Sequence, residues 1–192
     1  MLKNKIICAV GMPGAGKSLV SDELVGQGFA YLRFGQITLD KIKEGGLELN
    51  EANERRIREG FRKEHGMAAF AVLNIPKIEK LLKDSNVVVD GLYSWSEYKV
   101  LKEKYGEAMH VVAVYAPPKL RYERLKNRVI KKNDTSARFR PLSEKDAKAR
   151  DYAEIENLEK GGPIVMADFT IINTGTPDKL KEETANILSQ IS

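Results

Sequence analysis

The 192-residue chain is 42% hydrophobic and 31% charged, the balance of a soluble globular protein large enough for one sizeable α/β core. No apolar run approaches the ~20 residues of a membrane span. Met1-Leu2-Lys3-Asn4 leads directly into the first apolar segment and the lone Cys8 excludes an internal disulfide, so a cytoplasmic protein with no membrane partner is expected.

Lys5 to Val10 is a short apolar run suited to a buried strand, and Ser18 to Gly26 carries Leu19, Val20, Leu24 and Val25 at helical spacing. Phe29 to Phe34 reads as a second strand and Gln36 to Glu44 as a short helix ending at Gly45-Gly46. Asn50 is the expected N-cap of a long helix reaching Leu73, weakened at Gly60 and Gly66, with Asn74-Ile75-Pro76 as the next boundary. Val87 to Gly91 is a buried strand that ends in a carboxylate, and Ser94 to Tyr105 a helix stopped at Gly106. Met109 to Ala116 is the most apolar strand, and Pro117-Pro118 ends it and starts a helix through Arg128. A polar stretch follows. Ser143 then opens a helix to about Glu159, Gly161-Gly162-Pro163 breaks it, and Phe169 to Asn173 and Pro177 to Ile191 give the last strand and helix.

Helices alternating with strands that are apolar throughout predict a three-layer α/β/α fold around a five-stranded parallel sheet, in one domain over residues 1–192. Ligands of such sheets sit at the carboxyl ends of the strands. The segment there after the first strand is Gly11-Met12-Pro13-Gly14-Ala15-Gly16-Lys17-Ser18, G-x-x-x-x-G-K-S. Its glycines let successive N–H groups face one anion, and the helix that follows adds its own free N–H groups. Gly11, Pro13, Gly14, Ala15 and Gly16 are therefore expected to cradle a triphosphate. Lys17 would place its charge on the β/γ-phosphates, and Ser18 would take one position on Mg²⁺. The implied cofactors are ATP and Mg²⁺.

Asp90 ends an apolar strand, where an unpaired carboxylate is costly to bury. It is expected to hold Mg²⁺ through water or to take a proton from an acceptor hydroxyl. Arg124 and Arg128 lie four apart on one helix face. Arg138 and Arg140 fall in the polar stretch and Arg150 on the next helix, where convergent guanidinium groups would stabilise a transferring phosphoryl group. Residues 119–150 hold twelve Lys/Arg against four Asp/Glu, a balance of +8 within a net +5. One basic segment on an otherwise slightly acidic chain fits a phosphate clamp better than a nucleic-acid surface. Arg55, Arg58 and Arg62 share a face of the long helix, though Glu51, Glu54 and Glu59 stand four residues before Arg55, Arg58 and Lys63 at ordinary salt-bridge spacing. Tyr93 and Trp95, just past Asp90, are candidates either to stack on a base or to pack into the core.

With the phosphate loop, the Asp90-Gly91 strand end and Arg124-Leu125-Lys126-Asn127-Arg128 in place, the chain resembles the nucleoside monophosphate kinase group of P-loop kinases, which includes adenylate kinase and dephospho-CoA kinase. In overall layout it is similar to adenylate-kinase-related, dephospho-CoA-kinase-like archaeal proteins. The resemblance implies an acceptor-binding insertion over residues 35–75, with Arg58, Arg62 and Tyr93 toward the acceptor. It also implies a lid over residues 129–143. Ala167-Asp168 and Asn173-Thr174-Gly175 resemble the end of dephospho-CoA kinase, which implies Asn173 and Gly175 beside the adenine and Arg124 on the nucleotide. Two departures concern the acceptor. Leu92-Tyr93-Ser94 stands where adenylate kinase has Phe-Pro-Arg, and Arg33-Phe34-Gly35-Gln36 where dephospho-CoA kinase has an Asp-x-Asp. The expectation is transfer of the γ-phosphoryl group of ATP to a nucleoside monophosphate or related small acceptor. The alternatives are a dephospho-CoA kinase, a nucleotide-binding regulatory NTPase and a nucleic-acid end kinase.

Overall fold

The computed structural model describes residues 3–129 and 141–191. Five parallel strands, β1 (Ile6–Val10), β2 (Ala30–Arg33), β3 (Val87–Asp90), β4 (Met109–Tyr115) and β5 (Phe169–Ile172), lie in the order β2-β3-β1-β4-β5. β1, β3 and β4 sit inside the sheet, buried on both faces, which is why their sequences are apolar throughout rather than alternating. Register places Ala9 beside Asp90, and Arg33 beside Asp90 from the other side. One face, with Cys8, Val10, Val89 and Val111, packs on Phe34, Phe70, Ile78 and Leu101. The other, with Ile7, Val88, Val112 and Ile171, packs on Val20, Leu24 and Leu180. Cys8 is fully buried, and burial pushes its thiol up to about 12, so it is an unreactive core residue.

The helices are α1 (Lys17–Gly26), α2 (Gln36–Glu44), α3 (Glu51–His65), α4 (Ala69–Leu81), α5 (Trp95–Tyr105), α6 (Pro118–Lys126), α7 (Glu144–Leu158), α8 (Gly161–Val165) and α9 (Pro177–Ile191). The long helix expected from Asn50 ends at Gly66, whose φ of 76° leaves helical space, while Gly60 stays within α3. Pro76 does not end a helix; it lies inside α4. Pro76 is on the exposed side of α4, and the buried Asn74 donates to the carbonyls of Phe70 (2.8 Å) and Phe34 (3.3 Å), which ties the turn to the core. Gly161-Gly162-Pro163 is likewise not a plain break, because it forms the short α8. The proposed insertion, residues 35–75, comprises α2, α3 and the first half of α4, and the last of these contributes Ala69, Phe70 and Ala71 to the core. Most of the expected lid, including Arg138 and Arg140, lies outside the described residues. Among the described residues no helix is long and apolar enough to cross a membrane.

Candidate active site

The turn between β1 and α1 is held open by backbone geometry that only glycine adopts cheaply. Gly14 and Gly16 have φ of 79° and 112°. A Cβ on Gly14 would come within 2.7 Å of the Arg121 carbonyl, and one on Gly16 would collide with the Asn173 amide. The loop is thus pressed between α6 and the end of β5, with no room for larger side chains.

Three polar braces fix it. Asn173 Nδ2 donates to the Ala15 carbonyl at 2.7 Å, and Asn173 Oδ1 accepts from Arg124 Nη2 at 3.5 Å. Arg121, only 4% exposed, donates from Nη1 to the Pro13 carbonyl at 3.0 Å and from Nε to the Ala116 carbonyl at 3.0 Å. The same guanidinium forks onto Asp151 of α7 at 3.0 and 2.6 Å, and the Tyr122 hydroxyl donates to Asp151 at 3.0 Å. Loop, α6 and α7 are joined through one buried ion pair.

Lys17 opens α1 and is half-buried rather than exposed. Its ammonium donates to the carbonyls of Gly11 (2.9 Å) and Met12 (3.2 Å), so it rests across the cradle where phosphate oxygens would lie. Burial, and next the nearby Lys160 charge, push its pKa down to about 7. Ser18 follows it, half-buried at the same helix start. Across the strand register Asp90 is 8% exposed and accepts a hydrogen bond from the Tyr31 hydroxyl at 2.9 Å. Asp90 and the phosphate loop therefore share one edge of the sheet, as expected.

Arg124 reaches the loop through Asn173, and its Nη1 is buried with no partner among the described residues. Arg128 lies two residues beyond the end of α6, half-buried. Arg150 donates from Nε to Glu154 at 2.9 Å. Gly175 is exposed and has no positive φ, so nothing in the backbone requires glycine there.

In the expected acceptor-binding insertion the three arginines of α3 differ. Arg55 pairs with Glu59 at 2.7 Å on an exposed face, and Arg58 with Glu54 at 3.2 Å. Arg62 instead turns inward. Its Cζ lies 5.1 Å from the Phe70 ring centroid, and its Nε is buried without a partner among the described residues. Tyr93 folds back over Gly91, where a Cβ would lie 2.8 Å from its ring. Trp95 stacks on Tyr98 with centroids 5.0 Å apart and abuts Gly162, so it packs structure rather than presenting a free face.

Four residues of this region had no individual signal in the sequence. Glu97 is fully buried, accepts on Oε2 from the Tyr93 and Ser94 amides at 2.8 and 3.2 Å, and leaves Oε1 without a partner among the described residues. Burial pushes it up to about 7. The S-x-x-E spacing of Ser94 and Glu97 marks a capping box, which the structure contains, but not a buried charge. Asp151 and Lys160 meet Arg121 and Glu154 only through the folding of the chain, whereas Glu154 meets Arg150 at ordinary i,i+4 helix spacing. The one hint was a lysine directly before two glycines.

A phosphate loop at the carboxyl edge of a 2-3-1-4-5 parallel sheet defines the P-loop kinase fold. The matching solved structures agree. They include a Thermus thermophilus protein, TT1252 (TM-score 0.64, 18% identity, 98% of each chain). A shikimate kinase from Acinetobacter baumannii in complex with shikimate gives a TM-score of 0.56 at 16% identity over 98% of this chain and 95% of that one. A Sinorhizobium meliloti gluconokinase gives 0.56 at 14% over 99% and 94%. An AAA domain family model matches residues 7–141. A UPF0200 protein of Thermococcus kodakarensis is 34% identical over 188 residues, 97% of each chain. One of Sulfurisphaera tokodaii is 35% identical over 191 residues, also 97% of each. The chain belongs to this AAA domain family and to the UPF0200 family.

Proposed function

We propose that the protein is an ATP- and Mg²⁺-dependent phosphotransferase that moves the γ-phosphoryl group to a small acceptor, a nucleoside monophosphate or a related compound. The observation that carries this reading is the register of Ala9 with Asp90, which sets a carboxylate beside the phosphate loop at one sheet edge. The fit to a triphosphate is supported by the glycine turn and by the orphaned Arg124 Nη1. Among the described residues no group of three or more His, Cys, Asp and Glu gathers to cage a metal. That suits Mg²⁺, which binds through one or two protein oxygens plus phosphates and water. Ser18 and Asp90 would hold it, and it would draw charge from the β- and γ-phosphate oxygens.

The protein's own part is positioning and charge. Lys17 exchanges the Gly11 and Met12 carbonyls for phosphate oxygens, a better partner for an ammonium. Arg121 and Asn173 keep the loop's N–H groups fixed while that happens. The bond from γ-phosphorus to the bridging oxygen breaks, ADP leaves, and the bond to the acceptor oxygen forms. If that oxygen is a hydroxyl, Asp90, oriented by Tyr31, accepts its proton; a phosphate oxygen needs no base. Arg124, which reaches the loop through Asn173, and Arg128 would stabilise the charge that spreads over the equatorial oxygens. Arg62 supplies a donor on the acceptor side, where the Phe-Pro-Arg of adenylate kinase is absent.

The test is a coupled ADP-release assay over nucleoside monophosphates and dephospho-CoA, with a no-acceptor control. Arg62→Ala should lower kcat/KM for the working acceptor by about 10- to 150-fold, the scale of one charge-assisted contact. Arg55→Ala, on the exposed face, should change it little. ADP release that is independent of every acceptor would point to an NTPase and end the transferase reading.

A further inference from the structure

The turn between α7 and α8 delivers a lysine into the interior beside the site. Glu159 there has φ 51°, the single non-glycine among the described residues with positive φ. Such strain persists where the surroundings demand it. Gly162, pressed on Trp95 with no room for a Cβ, closes the same turn. The result is Lys160 at 1% exposure, in a class of residue almost never buried without a partner. Its ammonium bonds the Glu154 carboxylate and lies 4.8 Å from the centroid of the Tyr93 ring. Arg150, its side chain half-exposed, donates to the other oxygen of Glu154.

Lys160 is close enough to Lys17 to disfavour its charge, and close enough to Glu97 to favour the carboxylate. Arg62 faces the same cluster, where Glu97 is the carboxylate that favours its charge most and Glu154 does so less. Lysines 17 and 160 and arginines 62 and 150 thus converge on three carboxylates, Asp90, Glu154 and Glu97. Glu97 Oε1 and Arg62 Nε are both left without partners among the described residues. Cations gathered this tightly, with an orphaned donor among them, are arranged to receive a further anion.

We propose that Lys160 and Arg150, stored on Glu154, are the ligands for a phosphate monoester group on the acceptor, and that this group displaces Glu154 from Lys160 on binding. This rests on the phosphotransferase reading and narrows its substrate class. A phosphate monoester carries about −1.5 to −2 charge near pH 7, against −1 for the carboxylate it replaces, and brings three acceptor oxygens. It can therefore outcompete Glu154, where a simple carboxylate acceptor only matches it. Glu154 meanwhile keeps the buried Lys160 and the half-exposed Arg150 neutralised in the absence of the acceptor.

The test titrates the ADP·Mg-loaded protein, whose phosphate loop is already filled, with inorganic phosphate as the probe. Lys160→Met should weaken phosphate binding by about 10- to 150-fold. Glu154→Gln should tighten it by about tenfold, because Lys160 is no longer withheld. Lys160→Met alone strands a buried carboxylate, so the double variant Glu154→Gln/Lys160→Met, which removes both charges, serves as the folded reference and should also bind weakly. Phosphate affinity equal to wild type in the double variant overturns the proposal, as does the lack of saturable phosphate binding by the wild type. An acceptor whose KM is the same in wild type and the double variant overturns it and leaves the kinase reading intact. Lys160-dependent phosphate binding with no turnover of any acceptor does the reverse.

Discussion

Asn173 offers the clearest way to separate bracing from base recognition. Its Nδ2 is the donor to the buried Ala15 carbonyl at 2.7 Å, and the same amide fills the space a Cβ on Gly16 would need. Asn173→Ala leaves that carbonyl unpaired in a site where Asn173 itself is 5% exposed. Stranding a buried acceptor costs about 1–3 kcal/mol. For a chain of this size that lowers Tm by about 2–12 °C. Asn173→Asp should cost more, because it turns a donor into an oxygen that faces another oxygen. The assay is thermal unfolding together with affinities for ATP, GTP and pyrophosphate. If Asn173 shapes the loop, all three ligands weaken by a common factor of up to about 150-fold, since the distortion acts on the phosphates they share. If it reads the adenine, as the dephospho-CoA kinase resemblance implies, the ATP to GTP ratio changes and pyrophosphate binding stays at the wild-type value. That second pattern would refute the bracing argument.

Two further predictions concern protons. Lys17, held down to about 7 in the free protein, is mostly neutral at pH 8 and becomes charged against phosphates. ATP binding at pH 8 should then take up about 0.5–0.9 proton, read from calorimetry in buffers of different ionisation enthalpy. The uptake should vanish toward pH 6 and in Lys17→Met, and no uptake at pH 8 in the wild type would be contrary. Glu97 has its pKa raised from 4.5 to about 7 by burial. The unfolded chain releases that proton near 4.5 and the folded one near 7, so stability falls as pH rises through this window and remains lower above it. The penalty at pH 8 is about 3 kcal/mol. Glu97→Gln, which can still accept from the Tyr93 and Ser94 amides, should gain stability at pH 8 and not at pH 4.5 in urea denaturation. A less stable variant at pH 8 would show that the carboxylate is paired rather than stranded.

Local physics explains what could be read from the chain. β1 and β3 sit between neighbours on both sides, and a strand buried on both faces leaves a run of apolar residues that no exposed segment tolerates. The phosphate loop was legible because its chemistry requires glycines, a lysine and a hydroxyl within eight consecutive residues, at spacings set by backbone geometry alone. Pro76 misled for the complementary reason. A proline is a helix breaker by local rules, but on the exposed face of α4 its missing hydrogen bond is compensated by the packing of Asn74 and Ile78 beneath it.

The proposed acceptor side was less legible because its residues come together from far apart in sequence. Arg55, Arg58 and Arg62 look alike as a row, and only the tertiary fold distinguishes them. Glu59 and Glu54 occupy the first two, while Phe70 of the next helix draws the third inward. Lys160 looked like one more charge in a polar chain. Its meaning comes from a strained turn that carries it past Trp95 to Tyr93, across a separation no periodicity encodes. A buried lysine is stable only where its partner was placed with it, so Lys160 and Glu154 must be read together. The same holds for Arg121 and Asp151, whose removal one at a time would leave a charge inside the protein. One pair, Arg121 with Asp151, closes on the loop's own backbone at Pro13, and its polar groups are satisfied. The other, equally paired within itself, stands beside Arg62 Nε and Glu97 Oε1, which have no partner among the described residues. Those orphaned neighbours, not any difference between the two pairs, are the physical ground for reading the second as a site held ready for an anion.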